Sequence, residues 1–233
     1  MRILVVGDLH GKDCWREIEV GDYDKVIFLG DYVDGDTHSD EEVYENLQNV
    51  RILKEQYKDK VLLLLGNHDI QYLHYPVYRC SGFRMSMADK LSRFFNNYIH
   101  LFQLAYQVNN FLFTHAGLSN AWYRQFKACV ESHPVNYKLQ HFNTLADALN
   151  SLEETDYRDI LHQISVYRGG MADHGGVTWA DKQELLQDAL TGYHQVVGHT
   201  PVPYVERIDS DTDTSVTFID VLRTETRFYE LDL

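Results

Sequence analysis

The chain is 233 residues long and 44% hydrophobic, which is enough for one large domain or two small ones with a real core. Its 21 basic against 35 acidic residues leave a net charge of -14, which opposes attraction to nucleic acid or to an anionic membrane, so no stable nucleic-acid binding and no membrane association are expected. Three widely spaced cysteines, Cys14, Cys80 and Cys129, give neither a disulfide framework nor a paired-cysteine metal motif and fit reduced thiols in a cytoplasmic protein.

The first apolar run, Ile3 to Val6, is too short for a secretory leader or a membrane span and reads as a strand that ends in Gly7-Asp8-Leu9-His10-Gly11. A second run, Val26 to Leu29, meets Gly30-Asp31-Tyr32-Val33-Asp34. Ser39 and Glu42 then make a capping box ahead of Val43, Leu47, Val50 and Leu53, which recur at helical spacing. A third run, Val61 to Leu65, closes at Gly66-Asn67-His68-Asp69, so residues 25–65 form a strand, helix, strand crossover with parallel strands.

The aromatic-rich segment 70–110 is too long for a simple connection and reads as a helical cap over the strand ends. Phe111 to Phe113 runs into Thr114-His115-Ala116-Gly117, after which Ser119 caps a helix to about Val130. A helical region covers about 130–165, and Ala180 to Leu190, closed by Gly192, reads as one more helix. Val196 and Val197 lead into Gly198-His199-Thr200-Pro201. In the tail, Tyr204–Ile208, Ser215–Val221 and Arg227–Leu231 suggest an antiparallel meander with a turn at Asp209–Asp213. No linker or repeat divides the chain, which favours a single domain over 1–233.

Five buried strands that each end at a metal-binding residue are informative together, because ligands gather at the carboxyl ends of parallel strands. Asp8, His10, Asp31, Asn67, His115 and His199 are therefore expected to converge on metal, since a buried cluster of such groups would otherwise lack partners. Asp8 and His10, two apart, are expected to project to one side and share an ion; Asn67, His115 and His199 suit a second, and Asp31 falls between the groups as a bridging carboxylate. Oxygen and nitrogen donors without thiolate favour Mn²⁺, Fe or Zn²⁺. Two such ions at roughly 3.5–4 Å suit the hydrolysis of a phosphate ester, and His68, steadied by Asp34, is placed to protonate the leaving oxygen. The other histidines (His38, His74, His100, His133, His141, His162, His174, His194) read as surface or cap residues.

These motifs, in this order from Asp8 to Pro201, closely resemble the calcineurin-like metallophosphoesterases and, within them, the phosphoprotein phosphatases. The resemblance implies an α/β fold of two stacked mixed β-sheets flanked by helices, one ion on Asp8, His10 and Asp31, a second on Asp31, Asn67, His115 and His199, and His68 with Asp34 as the acid dyad. It implies phosphorylated substrates: phosphoproteins, nucleotides or small phosphoesters. Phosphoprotein phosphatases usually follow the aspartate at position 34 with a phosphate-clamping arginine, and here Gly35 stands there. Arg168, in Tyr167-Arg168-Gly169-Gly170, resembles a phosphate-contacting arginine of some bacterial-type members, and Arg79 and Arg84 of the cap are further candidates beside Asn67. The leading reading is a cytoplasmic, dinuclear phosphomonoesterase that favours Mn²⁺. A nucleotide or dinucleoside polyphosphate hydrolase on the same site is the alternative, and an inactive binding scaffold stands behind both.

Overall fold

Runs of four or five Val, Ile, Leu and Phe residues have no polar face to turn to water, so they become strands covered on both sides. The structure, a computed structural model, describes residues 1–132 and 142–233, so His133, His141 and part of the expected 130–165 helical region lie outside the described residues. The chain divides into two compact units: Met1–Gln103 with Pro201–Val205 and Ile219–Leu233, and Leu104–Thr200 with Glu206–Phe218. Each unit is built around a five-stranded mixed sheet with helices beside it, and the protein is of the α/β class.

In the first unit β1 (Arg2–Val6), β2 (Lys25–Phe28), β3 (Val61–Leu64) and β4 (Phe102–Gln103) run parallel in that spatial order. The expected crossover is present. Helix α1 (Asp40–Tyr57) joins β2 to β3, packs on β3, and buries Val43, Leu47 and Val50. Its start is set by Ser39, whose hydroxyl accepts from Glu42 N at 3.3 Å while the Glu42 carboxylate accepts from Ser39 N at 2.8 Å. Helix α3 (Ala88–Tyr98) and the end of helix α2 (Asn67–Leu73) lie in the expected cap segment. The end of that segment differs from the reading, because residues 102–103 and 105–108 are strands that extend the two sheets.

The second unit orders β5 (Ala105–Val108), β6 (Phe111–Thr114), β7 (His194–Val197), β9 (Thr214–Phe218) and β8 (Glu206–Asp211), with β6, β7 and β9 parallel and both edge strands antiparallel to their neighbours. Helix α4 (Asn120–Glu131) begins at Ser119 as its hydroxyl dictates. Helix α5 (Leu145–Glu153) carries Asn150, whose side-chain oxygen accepts from the backbone of Leu104 and Ala105 at the start of β5. Helix α6 (Lys182–Asp188) is shorter than the 180–190 reading, because Asp181 caps its start and Ala189 is already extended and paired with Ser119.

The tail is not an antiparallel meander. Strand β9 is buried at every position and pairs parallel with β7 on one side and antiparallel with β8 on the other. Strand β10 (Tyr229–Asp232) leaves that sheet altogether and lies antiparallel to β1 at the edge of the first. Burial explains the exchange: a fully buried β9 needs neighbours on both sides, whereas the half-exposed alternation of β10 suits an edge. Among the described residues no helix is long and apolar enough to cross a membrane.

Replacement of Ser39 by Ala removes one half of the capping box and should destabilise the protein by about 1 kcal/mol, with Ser39→Asp restoring most of it. Urea unfolding of the three proteins measures this, and an unchanged midpoint in Ser39→Ala would show that α1 does not depend on its cap.

Candidate functional site

In the first unit the loops after β1, β2 and β3 carry Asp8, His10, Asp31, Asp34, Asn67 and His68, and all but the half-buried His68 are buried. The side on which they project is not set by strand alternation, as expected for Asp8 and His10, because β1 already ends at Val6. It is set by backbone turns. His10, Asp31 and Asp34 adopt φ of 46°, 53° and 62°, a left-handed conformation that non-glycine residues visit at a cost and that clusters at functional sites.

Close contact between two of these loops requires glycine. A Cβ on Gly30 would stand 2.3 Å from Gly66 N, and one on Gly66 would stand 2.1 Å from Asp31 Oδ1. Asp69, fully buried at the third position of α2, holds the pair together by accepting from Asp31 N at 2.7 Å, Tyr32 N at 3.0 Å and Gly66 N at 2.9 Å. Burial and the charge of Asp31 nevertheless push the Asp69 carboxyl well above the ordinary carboxylate range.

Asp31 turns one oxygen back, where Oδ1 accepts from His68 N at 2.9 Å, and the other toward His10, where Oδ2 lies 3.7 Å from Nε2. That spacing is too long for a hydrogen bond and is compatible with one cation between the two atoms. Val33 O accepts a hydrogen bond from His10 Nδ1 at 2.9 Å, which fixes the tautomer and leaves Nε2 with its lone pair free to bind. Burial lowers the His10 imidazole, only partly offset by Asp31, so the ring is neutral as a ligand must be. Donor atoms of His10, Asp31 and His68 all lie within 4.8 Å of one another. Oxygen and imidazole donors at this spacing fit a hard-to-borderline divalent ion.

His68 is oriented by Asp34, whose Oδ2 receives the Nδ1 hydrogen bond at 2.9 Å. The same carboxylate accepts from the Gln71 amide and the Tyr72 hydroxyl, so it cannot swing away. Burial by itself lowers the His68 pKa, but the charge of Asp31, the Asp34 hydrogen bond and the Cys80 thiol outweigh it and hold the imidazole well above its usual value. A protonated His68 is thereby available as an acid at neutral pH. Asn67 Nδ2 approaches Cys80 Sγ at 3.6 Å.

In the second unit the loops after β6 and β7 bring His115 and His199 together, with His115 Nε2 and His199 Nδ1 3.1 Å apart and both residues buried. Gly198 N donates to His115 O at 2.8 Å and locks the two loops in register, while His199 takes φ of 64° against the edge of Trp179. Arg168 lies at the same end of this sheet, with Nε 2.7 Å from Asp181 Oδ2 and its fork on the Thr200 hydroxyl beside His199.

The cap arginines are engaged elsewhere in the first unit. Arg84 donates to Asp40 Oδ1 at 2.6 Å, to His38 O at 3.2 Å and to Gly35 O. Arg79 lies 4.7 Å over the Phe83 ring. Among the remaining histidines, His162 is not a surface or cap residue but is buried, with Nε2 2.8 Å from Glu153 Oε2 and Nδ1 3.1 Å from Thr178 Oγ1. Its site pairs it locally, which strand-end counting cannot reveal.

Four residues at this site escaped the sequence reading. Asp69 was visible as part of Gly66-Asn67-His68-Asp69 and as a third-position helix carboxylate, but two of its three backbone partners, Asp31 and Tyr32, come from a loop distant in sequence. Tyr72 and Gln71 follow on α2 and gave no signal of their own. Asp220, just beyond β9, is buried against Gly7, and its Oδ1 has no hydrogen-bond partner among the described residues; burial first, then the charge of Asp31, raises its carboxyl to about 6.

In the first unit, buried carboxylates and an imidazole at the ends of parallel strands, with a histidine locked on an aspartate beside them, suit a metal-dependent hydrolase. The family model described as calcineurin-like phosphoesterase matches residues 1–210, and the chain belongs to that family, as a metal-dependent phosphoric ester hydrolase. Among solved structures, a cold-active protein-tyrosine phosphatase of a psychrophilic Shewanella species shares 17% identity over 99% of this chain and 75% of its own, with a TM-score of 0.61. A protein serine/threonine phosphatase from Saccharomyces cerevisiae shares 17% over 94% of this chain and 67% of its own, with a TM-score of 0.51. No curated protein sequence matches the chain.

A carboxyl raised in the folded state contributes stability below its unfolded pKa and loses it as pH rises through the folded value. For Asp220 that window runs from about pH 4 to the folded value of about 6. In chelator-treated protein, Asp220→Asn should therefore gain stability over the wild type across this window, by up to about 2–3 kcal/mol. Denaturant melts at pH 4 and pH 7 report the difference, and a pH-independent gap between the two proteins would contradict it.

Proposed function

We propose that the protein hydrolyses phosphate monoesters, phosphoproteins among them, in the manner of the serine/threonine protein phosphatases. The observation that carries this reading is the His68–Asp34 pair beside the His10–Asp31 donors: the His68 imidazole is raised in pKa, and the Asp34 carboxylate accepts from His68, Gln71 and Tyr72. An acid of this kind serves a leaving alkoxide. We assign Asp8, His10 and Asp31 to one divalent ion and Asp31, Asn67, His115 and His199 to a second, on the family's motifs and on the donor chemistry within each unit. Mn²⁺ is the favoured ion, with Fe or Zn²⁺ served by the same donors. When bound, two such ions neutralise phosphoryl charge and make water a nucleophile at neutral pH.

The protein's own groups do the rest. Asp34 holds His68 Nδ1, so that the proton delivered to the leaving oxygen comes from Nε2. Gln71 and Tyr72 keep Asp34 in place, and Asp69 keeps the Asp31 loop in its left-handed turn. Arg168, beside Thr200, is assigned to the substrate phosphate together with Asn67. Residues 1–233 are taken as one cytoplasmic metallophosphoesterase domain with its cap at about 70–110 and its helical region at about 130–165. The cap aromatics favour monoesters over nucleotides: Phe83 is stacked against both Tyr72 and Tyr75, with Arg79 over it, so these rings are already engaged with one another. The two solved neighbours are phosphatases named for phosphotyrosine and for phosphoserine or phosphothreonine, which supports a phosphoprotein substrate without choosing the residue.

A panel of phosphopeptides, p-nitrophenyl phosphate and diadenosine tetraphosphate, assayed with Mn²⁺, Fe²⁺ and Zn²⁺, tests the reading. Monoester turnover with Mn²⁺ should lead, and a preference for the dinucleotide would replace the reading with the nucleotide one. His68→Asn should lower kcat by a factor of about 10²–10⁴ with metal content unchanged. Equal turnover in that variant removes His68 from the chemistry.

A further inference from the structure

Position 35 cannot carry a side chain in this fold. A Cβ there would stand 1.9 Å from His10 O, far closer than van der Waals contact with an atom that the His10 turn holds in place, since His10 N donates to Asp31 O at 2.8 Å and Gly11 N to Tyr32 O at 3.0 Å. An arginine at 35 is therefore excluded sterically. Arg84, the cap cation that reaches Gly35, spends its fork on Asp40 and on two backbone carbonyls.

Directly beside His10 and Asp34 lies a cavity of about 250 Å³ whose remaining lining is Lys12, Asp36, Thr37 and Arg223. All six residues belong to the first unit. Lys12 follows the Asp8–His10 loop, and Arg223 comes from the loop before β10, some two hundred residues away in sequence. Among the described residues neither cationic side chain makes a hydrogen bond or a close ion pair, although both act through their charge on the buried Asp220. Of the acids lining the cavity, Asp34 is already committed to His68, Gln71 and Tyr72, so Asp36 is the one carboxylate set against two open cations.

We propose that Lys12 and Arg223 form the anion site of this enzyme, gripping the non-bridging oxygens of a dianionic phosphate monoester in the cavity next to His10. This rests on the phosphomonoesterase reading above and adds two cations to the Arg168 and Asn67 assigned there to the phosphate. A guanidinium meets two phosphate oxygens at once, and an ammonium adds a mobile point charge, so the pair suits a tetrahedral dianion. The site also favours monoesters over diesters, because a diester has lost one of the two charges the cations face.

The test uses the full-length, Mn²⁺-loaded protein with Arg223→Gln, Lys12→Gln and Arg84→Gln, each checked for metal content and melting temperature. KM for p-nitrophenyl phosphate and the inhibition constant for inorganic phosphate should rise together, roughly tenfold for each of the first two variants, the usual cost of a charge-assisted hydrogen bond. The change should fall mainly on KM and not on kcat, and Arg223→Lys should recover part of the loss. Inorganic phosphate binding is also measured directly by calorimetry, so that the anion site is judged even if no phosphoester is turned over; absence of turnover with every metal would fail the functional reading alone. Unchanged phosphate affinity in both Arg223→Gln and Lys12→Gln overturns the proposal, as does a loss seen only in Arg84→Gln.

Discussion

A single buried carboxylate organises the first unit. Asp69 has no exposure to water, and its two oxygens collect the backbone N–H groups of Asp31, Tyr32 and Gly66. Those donors belong to the loops after two adjacent parallel strands, which would otherwise splay as the sheet twists. With the loops tied, Asp31 is held in a left-handed turn, with one oxygen accepting from His68 N and the other facing His10 Nε2 at 3.7 Å. An unpaired carboxylate at this depth would cost several kcal/mol, so the three hydrogen bonds are a condition of the fold as well as of the site.

From this tie the acid dyad follows. His68 is the residue after Asn67 at the start of α2, so any movement of the Gly66 loop would carry it away from Asp34. The helix itself supplies the remaining restraints, since Gln71 and Tyr72 reach Asp34 from one and the same turn. One short helix thus positions Asn67 and His68, to which the proposed function gives the ligand and acid roles, and two clamps on Asp34. The second unit repeats the principle with less apparatus: one backbone bond from Gly198 to His115 aligns the two loops whose imidazoles meet at 3.1 Å.

Much of this was legible in the chain. A glycine, or Thr114 in one case, after a short apolar run and before Asp, Asn or His marks a strand end, and at all five such places the strand is there. The α1 cap was legible too, because Ser39 and Glu42 interact only with each other and need no distant partner. Legibility failed where pairing was non-local. The tail strands were read as neighbours because they are neighbours in sequence, yet β10 pairs with β1 across nearly the whole chain. His162 looked like a spare histidine until Glu153 and Thr178 were found on either side of it. Asp220 and Arg223 carried no motif, since their significance comes from what lies against them.

What the sequence by itself determined is the chemistry on offer: which side chains stand at strand ends, that they are oxygen and nitrogen donors without thiolate, and that position 35 holds no arginine. Tertiary structure alone decided how they are aimed. Left-handed turns at His10, Asp31 and Asp34 point these groups, and the Asp69 bonds and glycine contacts that sustain the turns join loops tens of residues apart. Backbone strain of that kind persists only when packing from several directions over-determines it, and no local pattern of residues encodes such packing.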